Sequence, residues 1–76
     1  MPEIHAKIDC TGLLCPAPIL MTEERMSRMK KGEVLEVLFT DRGAKPDLLA
    51  WCRSTGNRVL EFKEEKWQTF GYIQKA

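Results

Sequence analysis

Along the extended segments of this chain, apolar and polar residues alternate instead of running apolar without a break. Residues 4–9 read Ile4-His5-Ala6-Lys7-Ile8-Asp9, a strand with one dry face and one wet face. Residues 34–40 repeat the pattern, with Leu35, Val37 and Phe39 on one side and Glu36 and Thr40 on the other. Strands buried on both faces read as near-continuous apolar runs, so a sheet made of alternating strands is covered on one side only. Any helices must share that side.

Two stretches have helical spacing. The first opens between Pro16 and Pro18, buries Ile19, Thr22, Met26 and Met29 with Leu20 alongside, and stops at Gly32. Glu23 and Glu24 are placed early in it and Arg28, Lys30 and Lys31 late, in keeping with the helix dipole. The second runs from Pro46, after a turn over Asp41-Arg42-Gly43-Ala44-Lys45, turns Leu48, Trp51, Cys52 and Thr55 inward, and ends at Gly56. Strands over residues 58–63 and 67–75 form a hairpin around Glu64-Glu65-Lys66. Gly71 weakens the last strand, and its aromatic residues fall on both parities, Phe70 and Tyr72 on one and Trp67 on the other.

The element order is β-α-β-α-β-β. It predicts an α/β two-layer sandwich: a four-stranded mixed sheet with both helices on one face and, by right-handed crossover, the first two strands parallel. Residues 1–76 read as one domain, with 43% hydrophobic residues and only 5 Gly and 4 Pro, too apolar for a disordered chain.

Twelve Lys plus Arg against 11 Asp plus Glu leave a net charge of +1, which counts against a general nucleic-acid or membrane-surface binder. No apolar run reaches the ~18 residues of a membrane span. The opening Met-Pro-Glu-Ile-His lacks the basic-then-apolar pattern of a secretory leader, so the expected location is the cytoplasm. Three cysteines are too few, and odd in number, for a disulfide scaffold, which leaves at least one free thiol in a reducing compartment.

The chemistry points to Asp9-Cys10-Thr11-Gly12-Leu13-Leu14-Cys15-Pro16-Ala17-Pro18, where the first strand hands over to the first helix. Sites of α/β sheets lie off the carboxyl ends of strands. Cys15 is placed as N-cap of the helix with Pro16 first inside it, near the positive end of the dipole. Of the two N–H groups that normally serve an N-cap side chain, Ala17 has one and Pro18 has none. The thiol pKa is therefore expected to fall only modestly. The plain alternative is a Cys15 buried as a small hydrophobe, which an N-cap after a Gly-containing turn disfavours. Asp9 is expected to brace the turn and Gly12 to supply a positive φ.

Cys10, five positions before Cys15, is either a tolerated strand residue or a thiol that resolves Cys15 by disulfide formation. Cys52 has the spacing of a core residue, and Trp51 likewise. His5 faces the open side of the sheet, and a metal site built from it and the cysteines lacks paired C-x2-C spacing. Arg25, Arg28, Lys30 and Lys31 form a solvated face or steer an acidic partner.

With Asp9, Gly12, Cys15, Pro16 and Pro18 in place, the chain resembles the TusA/SirA/YedF family of sulfur-carrier proteins. The likeness continues through Gly32-Glu33, Thr40-Asp41, Gly43-Ala44, Asp47, Trp51 and Thr55-Gly56, while Pro46 departs from the charged residue expected there. The resemblance implies a persulfide carried on Cys15, with no metal or organic cofactor. It implies a donor such as a cysteine desulfurase or rhodanese-like protein and an acceptor protein, in tRNA thiolation, sulfur oxidation or thiosulfate use. Such a protein acts as a co-substrate in sulfurtransferase reactions instead of as an enzyme in the usual sense. A thiol visited by two partners in turn favours a monomer, with no direct nucleic-acid contact and no membrane insertion. Two rival readings stand beside it. One is a thiol-disulfide switch using Cys10 and Cys15. The other is a regulatory module binding RNA or protein without thiol chemistry, since the sandwich resembles the C-terminal domain of translation initiation factor 3.

Overall fold

In the computed structural model, which describes residues 3–76, six elements follow one another as β1 (Ala6–Cys10), α1 (Ala17–Met26), β2 (Val34–Phe39), α2 (Ala44–Thr55), β3 (Arg58–Glu65) and β4 (Gln68–Gln74). Met1 and Pro2, the start of the stretch read for a leader, lie outside the described residues. The strands form one mixed sheet in the order β1-β2-β4-β3. β1 and β2 are parallel, with Ala6 opposite Leu35 and Cys10 opposite Phe39. β4 runs antiparallel to both β2 and β3. This is the expected two-layer sandwich.

Leu35, Val37 and Phe39 of β2 and Ile73 of β4 bury their side chains, together with Leu48 and Cys52 of α2 and Met26 of α1. Phe70 and Tyr72 share the parity of Glu36 and Leu38 and lie on the other face of the sheet, which settles the parity of the last strand. Trp67 takes no part in the sheet; it sits in the hairpin turn, 85% exposed. β3 runs two residues further than its pattern suggests, and a bulge between Val59 and Glu61 gives Leu60 no partner.

Each helix departs from its pattern at one end only: α1 opens between Pro16 and Pro18 and α2 stops at Gly56 as expected, but the end of α1 and the start of α2 differ. α1 ends at Met26, and turns carry the chain from there to Gly32. Glu23 and Glu24 consequently lie in its second half, and the first turn holds no acidic residue. Thr22 is its one fully buried polar side chain, its hydroxyl donating to the Pro18 carbonyl at 2.8 Å. Leu20 is 57% exposed. α2 starts at Ala44, two residues before Pro46, because the Ala44 N–H already closes a turn onto the Asp41 carbonyl at 3.1 Å. Pro46 then falls in the first helical turn, where a missing N–H costs nothing. Thr55 points out of the core and donates its hydroxyl to the Trp51 carbonyl at 2.8 Å.

The C-terminal residues tie the end of α1 to the sheet. Lys75 Nζ donates to the carbonyls of Met26 (2.8 Å) and Met29 (2.7 Å), a cation on the negative end of the helix. Among the described residues no helix is long and apolar enough to cross a membrane.

Candidate functional site

Parallel pairing of β1 and β2 puts their two strand-to-helix junctions side by side. The junction after β1 holds Cys15, and that after β2 holds Thr40, Asp41 and the start of α2. The first loop is folded by its own polar groups. Asp9 Oδ1 accepts from the Thr11 N–H (2.9 Å) and the Thr11 hydroxyl (2.7 Å), and the two bonds hold its carboxyl below the usual carboxylate range. The Leu13 N–H closes the turn onto the Cys10 carbonyl at 3.1 Å. Gly12 has φ of +78°, a conformation that strains any residue with a Cβ. Asp9 and Gly12 thus shape the turn.

The second junction holds the first in place. Gly12 N–H donates to Thr40 Oγ1 at 2.9 Å, and Cys15 N–H donates to Asp41 Oδ2 at 2.7 Å. The other oxygen of Asp41 accepts from Gly43 N–H at 3.2 Å, so one carboxylate ties the cysteine loop to the turn before α2. The Cys15 thiol itself donates to Asp47 Oδ2, in the first turn of α2. Cys15 is exposed, and beside it Leu14 is 74% exposed.

The electrostatics of Cys15 differ from the expectation. Its thiol pKa is raised, first by the hydrogen bond to Asp47, then by desolvation and the charges of Asp47 and Asp41. The capping residue of α1 is Pro16, not Cys15, and the helix starts at Ala17. The Ala17 N–H is taken by the Leu14 carbonyl at 2.9 Å, while Pro16 and Pro18 have no N–H to give. With no free donor at that helix start, nothing offsets the neighbouring carboxylates.

Cys10 lies fully buried at the end of β1, its sulfur 3.8 Å from the Met21 sulfur beneath α1, and burial pushes its thiol up. The structure therefore brings together Asp9, Gly12, Cys15 and Pro16 but turns the Cys10 side chain away into the core. Pro18 is buried at the foot of α1. His5 stands just before β1, at the opposite end of the strand from Cys15, with Nδ1 accepting from Val34 N–H at 3.0 Å. Among the described residues no cluster of three His, Cys, Asp or Glu side chains could hold a metal.

Sequence reasoning gave no site role to Thr40, Asp41 or Asp47. The usable signal was the predicted parallel pairing of the first two strands, which makes their following loops neighbours.

The sequence model of the family described as sulfurtransferase TusA matches residues 6–75. The sulfur carrier protein TusA of Allochromatium vinosum is 37% identical over 76 residues, 100% of both chains. A relative from Aquifex aeolicus is 42% identical over 91% of this chain, which spans only 35% of that protein's length. A crystal structure of a SirA-like protein from Desulfitobacterium hafniense shares the fold, with a TM-score of 0.82 at 19% identity over 92% of this chain and 96% of its own.

Proposed function

The chain belongs to the TusA family, and from that premise we propose that it is a sulfur carrier whose Cys15 accepts sulfane sulfur as a persulfide and yields it to a partner protein. The carrying observation is the exposed Cys15 thiol on a braced loop off the carboxyl end of β1, where a large partner can reach it. Loading joins Cys15 Sγ to the outer sulfur of a donor persulfide as the donor's own S–S bond breaks. The donor leaves as a thiolate that takes up a proton. Unloading repeats the exchange on a thiol of the acceptor protein, which becomes the persulfide as Cys15 returns to the thiol. The transferred sulfur keeps its oxidation state throughout, so no oxidant and no cofactor enter.

Donor and acceptor are both proteins in this reading, a cysteine desulfurase or rhodanese-like protein on one side and a relay partner on the other. The chain serves them as one monomeric carrier domain in the cytoplasm. Leu14 and Leu20, exposed on either side of the Cys-Pro-x-Pro turn, give such partners apolar surface to cover. The switch reading has a weaker basis, because the Cys10 thiol is sealed in the core and a disulfide to Cys15 requires the end of β1 to open.

Incubation with a cysteine desulfurase and cysteine, followed by intact mass measurement, is expected to show the gain of one sulfur atom. The gain disappears on reduction and is absent from Cys15→Ser. Loading of Cys15→Ser, or none in the wild type with any persulfide donor, removes the proposal. A loss of two hydrogens that Cys10→Ser abolishes supports the switch instead.

A further inference from the structure

We propose that Asp47 is a positioning residue that sets the charge state of Cys15, holding the empty carrier as a neutral thiol and biasing the loaded carrier toward release. The inference rests on the persulfide reading of Cys15 and names how that site is controlled.

The geometry has three parts. The Cys15 thiol donates to Asp47 Oδ2, and no other side-chain hydrogen bond of Asp47 occurs among the described residues. Asp41 lies on the same side and holds the Cys15 N–H, which fixes the sulfur against α2. No cation neutralises either carboxylate: the ion pairs of the described residues are His5–Glu3, Arg28–Glu24, Lys45–Glu64 and Lys63–Glu65. Lys45, two residues from Asp47, is thus turned toward Glu64. The loop bearing Cys15 has no charged side chain between Thr11 and Leu14, and the first turn of α1 has no acidic residue.

The sulfur is therefore presented to two carboxylates that no cation pairs among the described residues, and the start of α1 offers it no free N–H. In the empty state this arrangement is favourable, because Cys15 has a proton to donate and a hydrogen bond to a carboxylate is among the stronger kinds. In the loaded state Sγ is bonded to carbon and sulfur and has no proton. The outer sulfur carries either a proton or a negative charge, and as an anion it is repelled by both carboxylates. An interaction made in one state and lost in the other shifts the equilibrium by its own free energy. Asp47 thus favours the empty thiol, which lets the protein pass sulfur on instead of storing it. It also keeps the resting thiol protonated, and so slow to react with stray electrophiles. The same contact must be broken for Cys15 to attack a donor as the thiolate.

The test uses the full chain as wild type, Asp47→Asn and Asp47→Ala, each checked for native circular dichroism. Two quantities are read: the pH midpoint of Cys15 alkylation by iodoacetamide in a Cys10→Ser, Cys52→Ala background, and the equilibrium constant for sulfur exchange between glutathione persulfide and Cys15. Neutralising Asp47 is expected to move the alkylation midpoint to lower pH and to raise the loaded fraction at equilibrium roughly threefold or more, the scale of a charge-assisted hydrogen bond at an open site. An unchanged midpoint in both variants overturns the proposal, and so does an exchange constant that stays put or falls. A wild type that never loads while the midpoint still shifts overturns the carrier reading and leaves the control of the thiol by Asp47 standing. A background that fails to fold is replaced by the parent chain, with Cys15 followed by peptide mass mapping.

Discussion

Gly71 lies opposite Phe62 in the β3–β4 ladder, and the absence of a side chain there makes room for the ring. A Cβ on Gly71 would stand 3.1 Å from Phe62 Cε1 and 3.6 Å from Phe39 Cε1. Phe62 cannot easily withdraw, because it meets Phe39 edge-on with centroids 6.2 Å apart and carries Lys45 Nζ over its face at 5.2 Å. Gly71, which from sequence reads as a weakness of the strand, is thus a packing requirement. Gly71→Ala is expected to lower stability by about 1 kcal/mol in urea denaturation, overpacking outweighing the gain in backbone rigidity. An unchanged or higher midpoint would show that the ring gives way. Cys15 poses the same kind of problem in reverse, for the upward shift of its thiol comes chiefly from Asp47, with Asp41 adding to it, and its neighbours in the chain do not reveal either contact.

Among the elements, the β3–β4 hairpin carries local strain. Its loop is Lys66-Trp67, and Lys66 has φ of +44°, in the left-handed region. Two-residue hairpin loops with a positive φ at their first position favour glycine there. Lys66→Gly is expected to raise stability by about 0.5–1 kcal/mol, the relief of strain exceeding the added freedom of the unfolded chain. A lower thermal midpoint would place that strain elsewhere. All six elements were legible in the sequence, because alternation in the strands and helical spacing between them leave one order. Boundaries were less so. β1 begins at Ala6, not Ile4, since the His5 N–H meets the Val34 carbonyl but the Val34 N–H goes to the His5 ring and not to the backbone, and the hairpin turn slides from Glu64-Glu65-Lys66 to Lys66-Trp67 because Glu65 pairs with Gln68. The Asp9 turn and Gly12 could be read locally. Asp47 could not, since its contact exists only after two junctions far apart in sequence meet.

Taken as a whole, the molecule should lose stability in alkali. Burial of Cys52 between α2 and the sheet pushes its thiol from 9.0 up to about 11. Above pH 9 the unfolded chain releases this proton while the folded chain keeps it, so the stability it contributes is intact below pH 9 and is lost as pH rises through about 11. Cys10 and Tyr72, raised chiefly by burial, act in the same direction. Urea midpoints measured across that window are expected to fall, and to fall less steeply for Cys52→Ala. An equal slope would acquit the buried thiol. Both helices lie on one side of the sheet, and Cys15 stands exposed at the rim, off the carboxyl end of β1. Under the proposed carrier role, donor and acceptor compete for that one ledge, and a saturating excess of either is expected to slow transfer to the other.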